Sequence, residues 1–178
     1  MLNAFPNRKS FGFSLLELMV GIVIMAILVS LAMPSFQTWF RNAQIRNAAE
    51  SISNGLQRAR AVAVAQNTNV EFVLGTGSSW VVSVVSAPVP PIDSRSSSEG
   101  SRDVTVTALA ADAATAATAI TFNNLGGIVA NADASATLAR VDFAALGGNQ
   151  SLRVTIGVGG NAKMCNPSLA PGSSPRAC

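Results

Sequence analysis

Gly12-Phe13-Ser14-Leu15-Leu16-Glu17 leads into Leu18 to Phe40, a run with no charged residue in which Gln37 is the most polar side chain. Those 23 residues would make about 35 Å of helix at ~1.5 Å per residue. A bilayer hydrocarbon core of ~30 Å needs about 20 such residues. Arg8 and Lys9 lie just before the run. The positive-inside rule therefore puts the N-terminus in the cytoplasm and everything after the run outside.

Three readings compete for this segment. One is a plain single-pass anchor. Another is a secretory signal, with Arg8 and Lys9 as its basic region and Ser30-x-Ala32 as a small-residue cleavage site. Both explain the apolar run, and neither explains Glu17. A carboxylate in a spanning helix costs roughly 2.5–3.5 kcal/mol at its centre and less near an end. The third reading gives Glu17 a partner. A basic leader, then Gly12, a hydrophobic Phe13, Glu17 and Pro34 resemble the type III signal of type IV pilins and pseudopilins.

That resemblance implies that a prepilin peptidase cuts between Gly12 and Phe13 on the cytoplasmic side and methylates the new amine. It also implies that the apolar segment is kept. Glu17 then stands fifth in the processed chain, where the family carries its characteristic carboxylate, and Pro34 stands twenty-second, where many members carry a proline. An ion pair between Glu17 and the amine of Phe13 gains strength in an apolar setting, although desolvation offsets much of the gain. Between chains, Glu17 of an incoming subunit can meet the Phe13 amine of its neighbour and set an axial register. Pro34 lacks an N–H and clashes with the carbonyl of Ser30, so it should kink the helix or melt it locally. An ordinary membrane-helix kink is the alternative for Pro34.

Working outward, Arg41 to about Gln66 continues as a helix of different pattern. Ile45, Ala49, Ile52, Leu56, Ala59 and Ala63 recur at three- and four-residue steps, with Arg41, Arg46, Glu50, Gln57, Arg58 and Arg60 largely off that stripe. The stripe narrows to Ala, which allows close approach to a sheet, and Asn67-Thr68-Asn69 ends it.

Beyond Asn67 the period becomes two. Val70 to Leu74 and Trp80 to Val85 read as strands joined by the hairpin signal Gly75-Thr76-Gly77-Ser78. Ser86 to Arg102, with Pro88, Pro90, Pro91 and a serine run, reads as loop. Asp103 to Ala108 is a short strand, and the Ala/Thr-rich Ala110 to Ala119 fits either helix or loop and is taken as loop. Ile120 to Phe122 is a strand ended by Asn123-Asn124-Leu125-Gly126-Gly127. Leu138 to Phe143 and Leu152 to Val158 alternate, Gly159-Gly160-Asn161 turns, and Ala162 to Cys165 closes an antiparallel meander.

Composition narrows the chemistry. Charged residues are 12% of the chain, against ~25% in soluble domains, and hydrophobic residues are 49%. Without His there is no Ser-His-Asp triad, Cys-His pair or His-ligated metal. Two Cys cannot build a structural zinc site alone. Gly157-x-Gly159-Gly160 follows a strand with no helix after it, which argues against a nucleotide loop. Neither an enzyme, a cofactor nor a metal site is expected. Net charge is +3, and Arg8 and Lys9 supply two of those charges, so charge alone makes no case for nucleic acid.

The 112 residues from 67 onward suffice for one modest core. Outside the cytoplasm disulfides persist, and Asn166 to Ala177 holds three Pro and no apolar period. A Cys165–Cys178 bridge would tether that tail and stabilise by roughly 3 kcal/mol through loop entropy. Two unpaired thiols are the alternative.

The strand-turn Ile120-Thr121-Phe122-Asn123-x-Leu125-Gly126 and a late strand leading to a C-terminal Cys resemble the minor pilins and pseudopilins of the FimT/FimU and GspH group. Some FimT-type members carry Gly-Arg-x-Arg near the C-terminus and use it to bind DNA in natural transformation. Here the matching place reads Gly160-Asn161-Ala162-Lys163. Arg153, Lys163 and Arg176 are the bases left for DNA contact. Asn161 stands against it, and Lys lacks the fork geometry of Arg at phosphate.

The expected protein is α+β. A helical spine spans 13–66, its 13–40 half in the membrane or filament core and its amphipathic half packed on an antiparallel β body at 67–178; the leader is 1–12. The expected function is a minor pilin of a type IV pilus. A type II secretion pseudopilin, a DNA-binding minor pilin and a major pilin are the alternatives. Expected partners are the prepilin peptidase, other pilin subunits, inner-membrane assembly machinery and lipid. The expected place is the inner membrane, with the body periplasmic, and then a filament.

Overall fold

The computed structural model describes residues 12–178, so the leader lies outside the described residues except for Gly12. The helix α1 spans Leu15–Gln66. Its start is set by Ser14, whose Oγ accepts from the N–H of Glu17 at 3.1 Å, and the Ser-x-x-Glu spacing is that of a capping box. Its end is set by Asn67, in the left-handed region at φ 52°, and by Thr68 N donating to Ala63 O at 3.1 Å. Helical backbone continues through Pro34, so the helix does not melt there.

Two compact units divide the chain near Gln37. In the first, no described residue covers the helix: its large apolar side chains are exposed, from 48% at Val29 to 77% at Leu15. In the second, from Thr38 on, the whole expected stripe is buried, with Ile45, Ala49, Ile52, Ala59 and Ala63 at 0% and Leu56 at 1% exposure.

The stripe packs on two antiparallel sheets rather than the single meander expected from the sequence. In order along the chain the strands are β1 Val70–Leu74, β2 Trp80–Val84, β3 Asp93–Arg95, β4 Val104–Leu109 and β5 Ala119–Phe122. β6 Ile128–Val129, β7 Arg140–Ala145, β8 Leu152–Ile156 and β9 Ala162–Cys165 follow. The first sheet runs β3-β2-β1-β5-β6 and the second β4-β7-β8-β9. After the β1–β2 hairpin and β3, the chain leaves for the second sheet to form β4. It then returns to lay β5 beside β1, so sequence neighbours are not spatial neighbours there. β3 falls within the segment read as loop. Asp93-Ser94-Arg95 has no apolar alternation and is held by backbone pairing opposite Trp80 to Val82.

Phe72, Val82, Ile120, Phe122, Val141, Phe143 and Val154 fill the space between sheets and helix, each at most 1% exposed. The rings of Phe72 and Trp80 stack with centroids 5.7 Å apart, and Trp80 Nε1 donates to Ser51 Oγ on the helix at 2.8 Å. Their closeness to the helix depends on Gly55, which leaves no side chain between them.

Candidate assembly and binding sites

Within the first unit, Phe13, Glu17, Gly21 and Met25 follow one another at four-residue steps and so share a helix face. With Leu18 and Ile22 they line a shallow apolar notch of about 530 Å³. Glu17 is the one carboxylate in it, and no cation pairs with Glu17 among the described residues. The capping role of Glu17, donating its backbone N–H to Ser14 Oγ, does not use its carboxylate.

The three bases proposed for DNA do not converge. In the second sheet, cross-strand partners share a face. Lys163 is opposite Thr155, which is opposite Arg140, so these three form one row across β9, β8 and β7. Arg153 and Asp142 are opposite each other in the next row. Val141, Phe143 and Val154 alternate onto the buried side, so both rows face away from the helix. Arg176 lies elsewhere. It lines a groove of about 300 Å³ with Arg46 and Glu50 of the helix and with Leu152 and Met164, which are on the helix-facing side.

Arg140, which is not among the three, is the base that shares a face with Arg153 and Lys163. Asp142 serves both guanidiniums, at 3.0 Å from Arg140 Nε and in an ion pair with Arg153 Nε. The alternation of Leu138 to Phe143 put Arg140 and Asp142 on one face. Their pairing with Arg153 depends on strand register, which a single sequence does not display. Gly160, the first residue of the partial DNA motif, has a packing role. It sits at φ 77° in the β8–β9 turn, and a Cβ there would lie 2.6 Å from Gly126 O. Gly126 O in turn accepts from Arg60 Nε at 2.9 Å.

Cys165 and Cys178 are disulfide-bonded, with Cα atoms 5.1 Å apart. The tail between them is closed further by Asn166 N donating to Arg176 O at 2.6 Å, and it buries Cys165.

Residues 7–33 match the prokaryotic N-terminal methylation motif, and residues 48–160 match the family of type II transport protein GspH. The second match alone spans more than half of the chain. The chain belongs to the GspH family. It is a type IV pilin-like protein of the FimT/FimU/GspH group. Among solved structures it is similar to two crystal forms of the type IV minor pilin FimU from Pseudomonas aeruginosa. One is 20% identical, with a TM-score of 0.52 over 76% of this chain and 98% of that one. The other is 19% identical, with a TM-score of 0.49 over 72% and 98%. The first shows a shared fold. No curated protein matches the chain significantly.

One carboxylate of this GspH-family body is electrostatically at odds with its place. Glu71 sits on the outer face of the first sheet between Ser83 and Thr121. Burial, and then the nearby charge of Asp133, push its carboxyl above the ordinary range. A carboxyl with a raised pKa binds more protons folded than unfolded, so stability falls as pH rises from about 4.5 through the raised value. Glu71→Gln removes that dependence. Urea unfolding should show the Gln variant at least as stable as the parent at pH 7, with its advantage shrinking toward pH 4. A less stable Gln variant at pH 7 would mean that the carboxylate has a favourable partner within the chain.

Proposed function

We infer that this chain is a minor pilin of a type IV pilus, cleaved between Gly12 and Phe13 and carried into the filament by its N-terminal helix. The observation behind this reading is the apolar face of the first unit, exposed along its length and broken by one carboxylate, directly after a methylation-type junction. Such a surface requires lipid or other helices around it. Before assembly the helix spans the inner membrane with the body in the periplasm, where the disulfide is stable. Prepilin peptidase, other pilin subunits and the assembly machinery are the partners this route requires.

The likeness to a minor pilin supports a pilus, while the family description names type II transport, which makes a secretion pseudopilin the second reading. Nothing in the family or the fold supplies an enzymatic role. Shearing surface filaments from cells and probing the fraction with antibody to the body separates the two readings. The pilus reading expects the chain in that fraction at a small share of total pilin. A chain confined to membranes, whose loss blocks protein secretion but leaves pili intact, would contradict it.

A further inference from the structure

We propose that the β7–β8 loop, residues 146–151, seats on the headgroup layer of the bilayer, with Leu146 dipping into it and Arg41 facing lipid phosphates. The proposal deepens the inner-membrane step of the reading above and rests on it.

The level of the contact follows from the helix. Phe40 is the last residue of the uncharged run, and Arg41 is the first charge after it. A bilayer core filled by the run therefore ends near Phe40. Trp39 and Phe40, 64% and 51% exposed, have the rings that favour headgroup level. Arg41 can lay its stem on apolar surface and keep its head in water. This belt is incomplete on one side. Thr38, Asn42 and Ile45 follow at steps of four and three and share a face, on which Thr38 and Asn42 are polar. At ~100° per residue, Trp39 lies about a quarter-turn from that face and Phe40 nearly opposite it.

The β7–β8 loop packs on that side. Asn42 Nδ2 donates to Asn149 Oδ1 at 2.7 Å, and Asn42 Oδ1 accepts from the N–H groups of Asn149 at 3.1 Å and Gln150 at 3.2 Å. A Cβ on Gly147, which sits at φ 77°, would lie 3.5 Å from Arg41 Cδ. One on Gly148 would lie 3.1 Å from Ile45 Cδ1. The loop is thus fixed to the helix where the uncharged run ends.

What it presents suits lipid. Residues 143–152 include no charged side chain, and charge is what makes entry into a bilayer costly. Leu146 is 89% exposed. A lone exposed leucine is ordinary. This one stands on a fixed, uncharged loop and supplies the apolar group that Thr38 and Asn42 do not. No carboxylate pairs with Arg41 among the described residues, and a guanidinium binds phosphate by paired hydrogen bonds. Leu125, 81% exposed, makes the contrast. Its turn packs through Gly126 on Arg60 and Val64, roughly 28 Å further along the helix than Arg41.

Tryptophan quenching tests the contact. The full chain is reconstituted in vesicles of phosphatidylcholine and phosphatidylglycerol whose acyl chains carry bromine close to the headgroup. Trp39 and Trp80 are the two tryptophans, and Trp80 is buried in the body. In a Trp39→Phe background, Leu146→Trp reports on the loop and Leu125→Trp on the distant turn; both positions are exposed, so neither change disturbs the core. After subtraction of the background, emission from position 146 should fall by about twofold or more on bromination, and emission from position 125 should hardly change. Omitting phosphatidylglycerol should weaken the quenching at 146, and Arg41→Gln should remove that lipid dependence. Equal quenching at 146 and 125, with Trp39 of the parent chain still quenched, would overturn the docking and leave the membrane anchor standing. Trp39 unquenched in the parent chain would overturn the anchor, and the docking with it. Quenching at 146 that ignores lipid charge would overturn the role given to Arg41.

Discussion

Glu17→Ala should remove the chain from filaments while leaving its processing largely intact. The family's peptidase recognition centres on the glycine matched here by Gly12, which the substitution does not touch. The helix start also survives, because Ser14 Oγ accepts from the backbone N–H at position 17. What is lost is the carboxylate in a notch otherwise lined by Phe13, Leu18, Gly21, Ile22 and Met25. The proposed cleavage would create an ammonium at Phe13, and in the filament core that charge would then have no partner. Breaking one half of a buried ion pair costs about 3–5 kcal/mol. At ~1.4 kcal/mol per tenfold, the fraction of processed chain in sheared filaments should fall by about a hundredfold or more. Glu17→Gln should fail similarly, since it restores shape without charge. Quantitative immunoblots of shear and membrane fractions measure this. Normal incorporation of the Ala variant would refute the ion-pair account of assembly.

Gly55→Ala should destabilise the body by up to about 2 kcal/mol, although helix propensity alone would make Ala better than Gly by ~1 kcal/mol. A Cβ at position 55 would lie 2.7 Å from Phe72 Cε2 and 3.0 Å from two ring atoms of Trp80. Neither ring can withdraw easily. They stack on each other, both are buried, and Trp80 is tied to Ser51 through its indole N–H. Overpacking of a filled core costs about 1–3 kcal/mol, which outweighs the gain in propensity. Gly55→Leu should prevent accumulation of folded chain altogether. Urea unfolding of the detergent-solubilised protein, followed by tryptophan fluorescence, measures the Ala variant. A stabilisation near 1 kcal/mol would show that the helix has room to spare over these rings.

These two residues also show where sequence reading succeeds and where it stops. Glu17 stands out in the sequence as a lone carboxylate beside an uncharged run, and its role in assembly is the proposal tested above. The stripe from Ile45 to Ala63 was legible because a helix repeats its face every three or four residues, and every member is buried. The β1–β2 hairpin was legible because its turn chemistry is local. Gly55 was not, since a glycine inside a helix looks like a weakness until the facing rings are known. The division into two sheets was hidden because β4 finds β7, and β5 finds β1, across long stretches of chain that carry no local signal of pairing. The same limit governed the basic residues. Charge could be counted along the last forty residues, but which bases share a face depends on register. Register set Arg140 beside Lys163 and Arg153, and it sent Arg176 to the helix-facing groove.

The central claim is that the apolar helix is kept and begins at a new, charged terminus. The most direct test is the intact mass and N-terminal sequence of the chain purified from cells with an active prepilin peptidase. Removal of 12 residues from 178 should leave 166, beginning at N-methylated Phe13 and carrying one internal disulfide. A chain beginning at Met33, or an unprocessed chain beginning at Met1, would contradict the account.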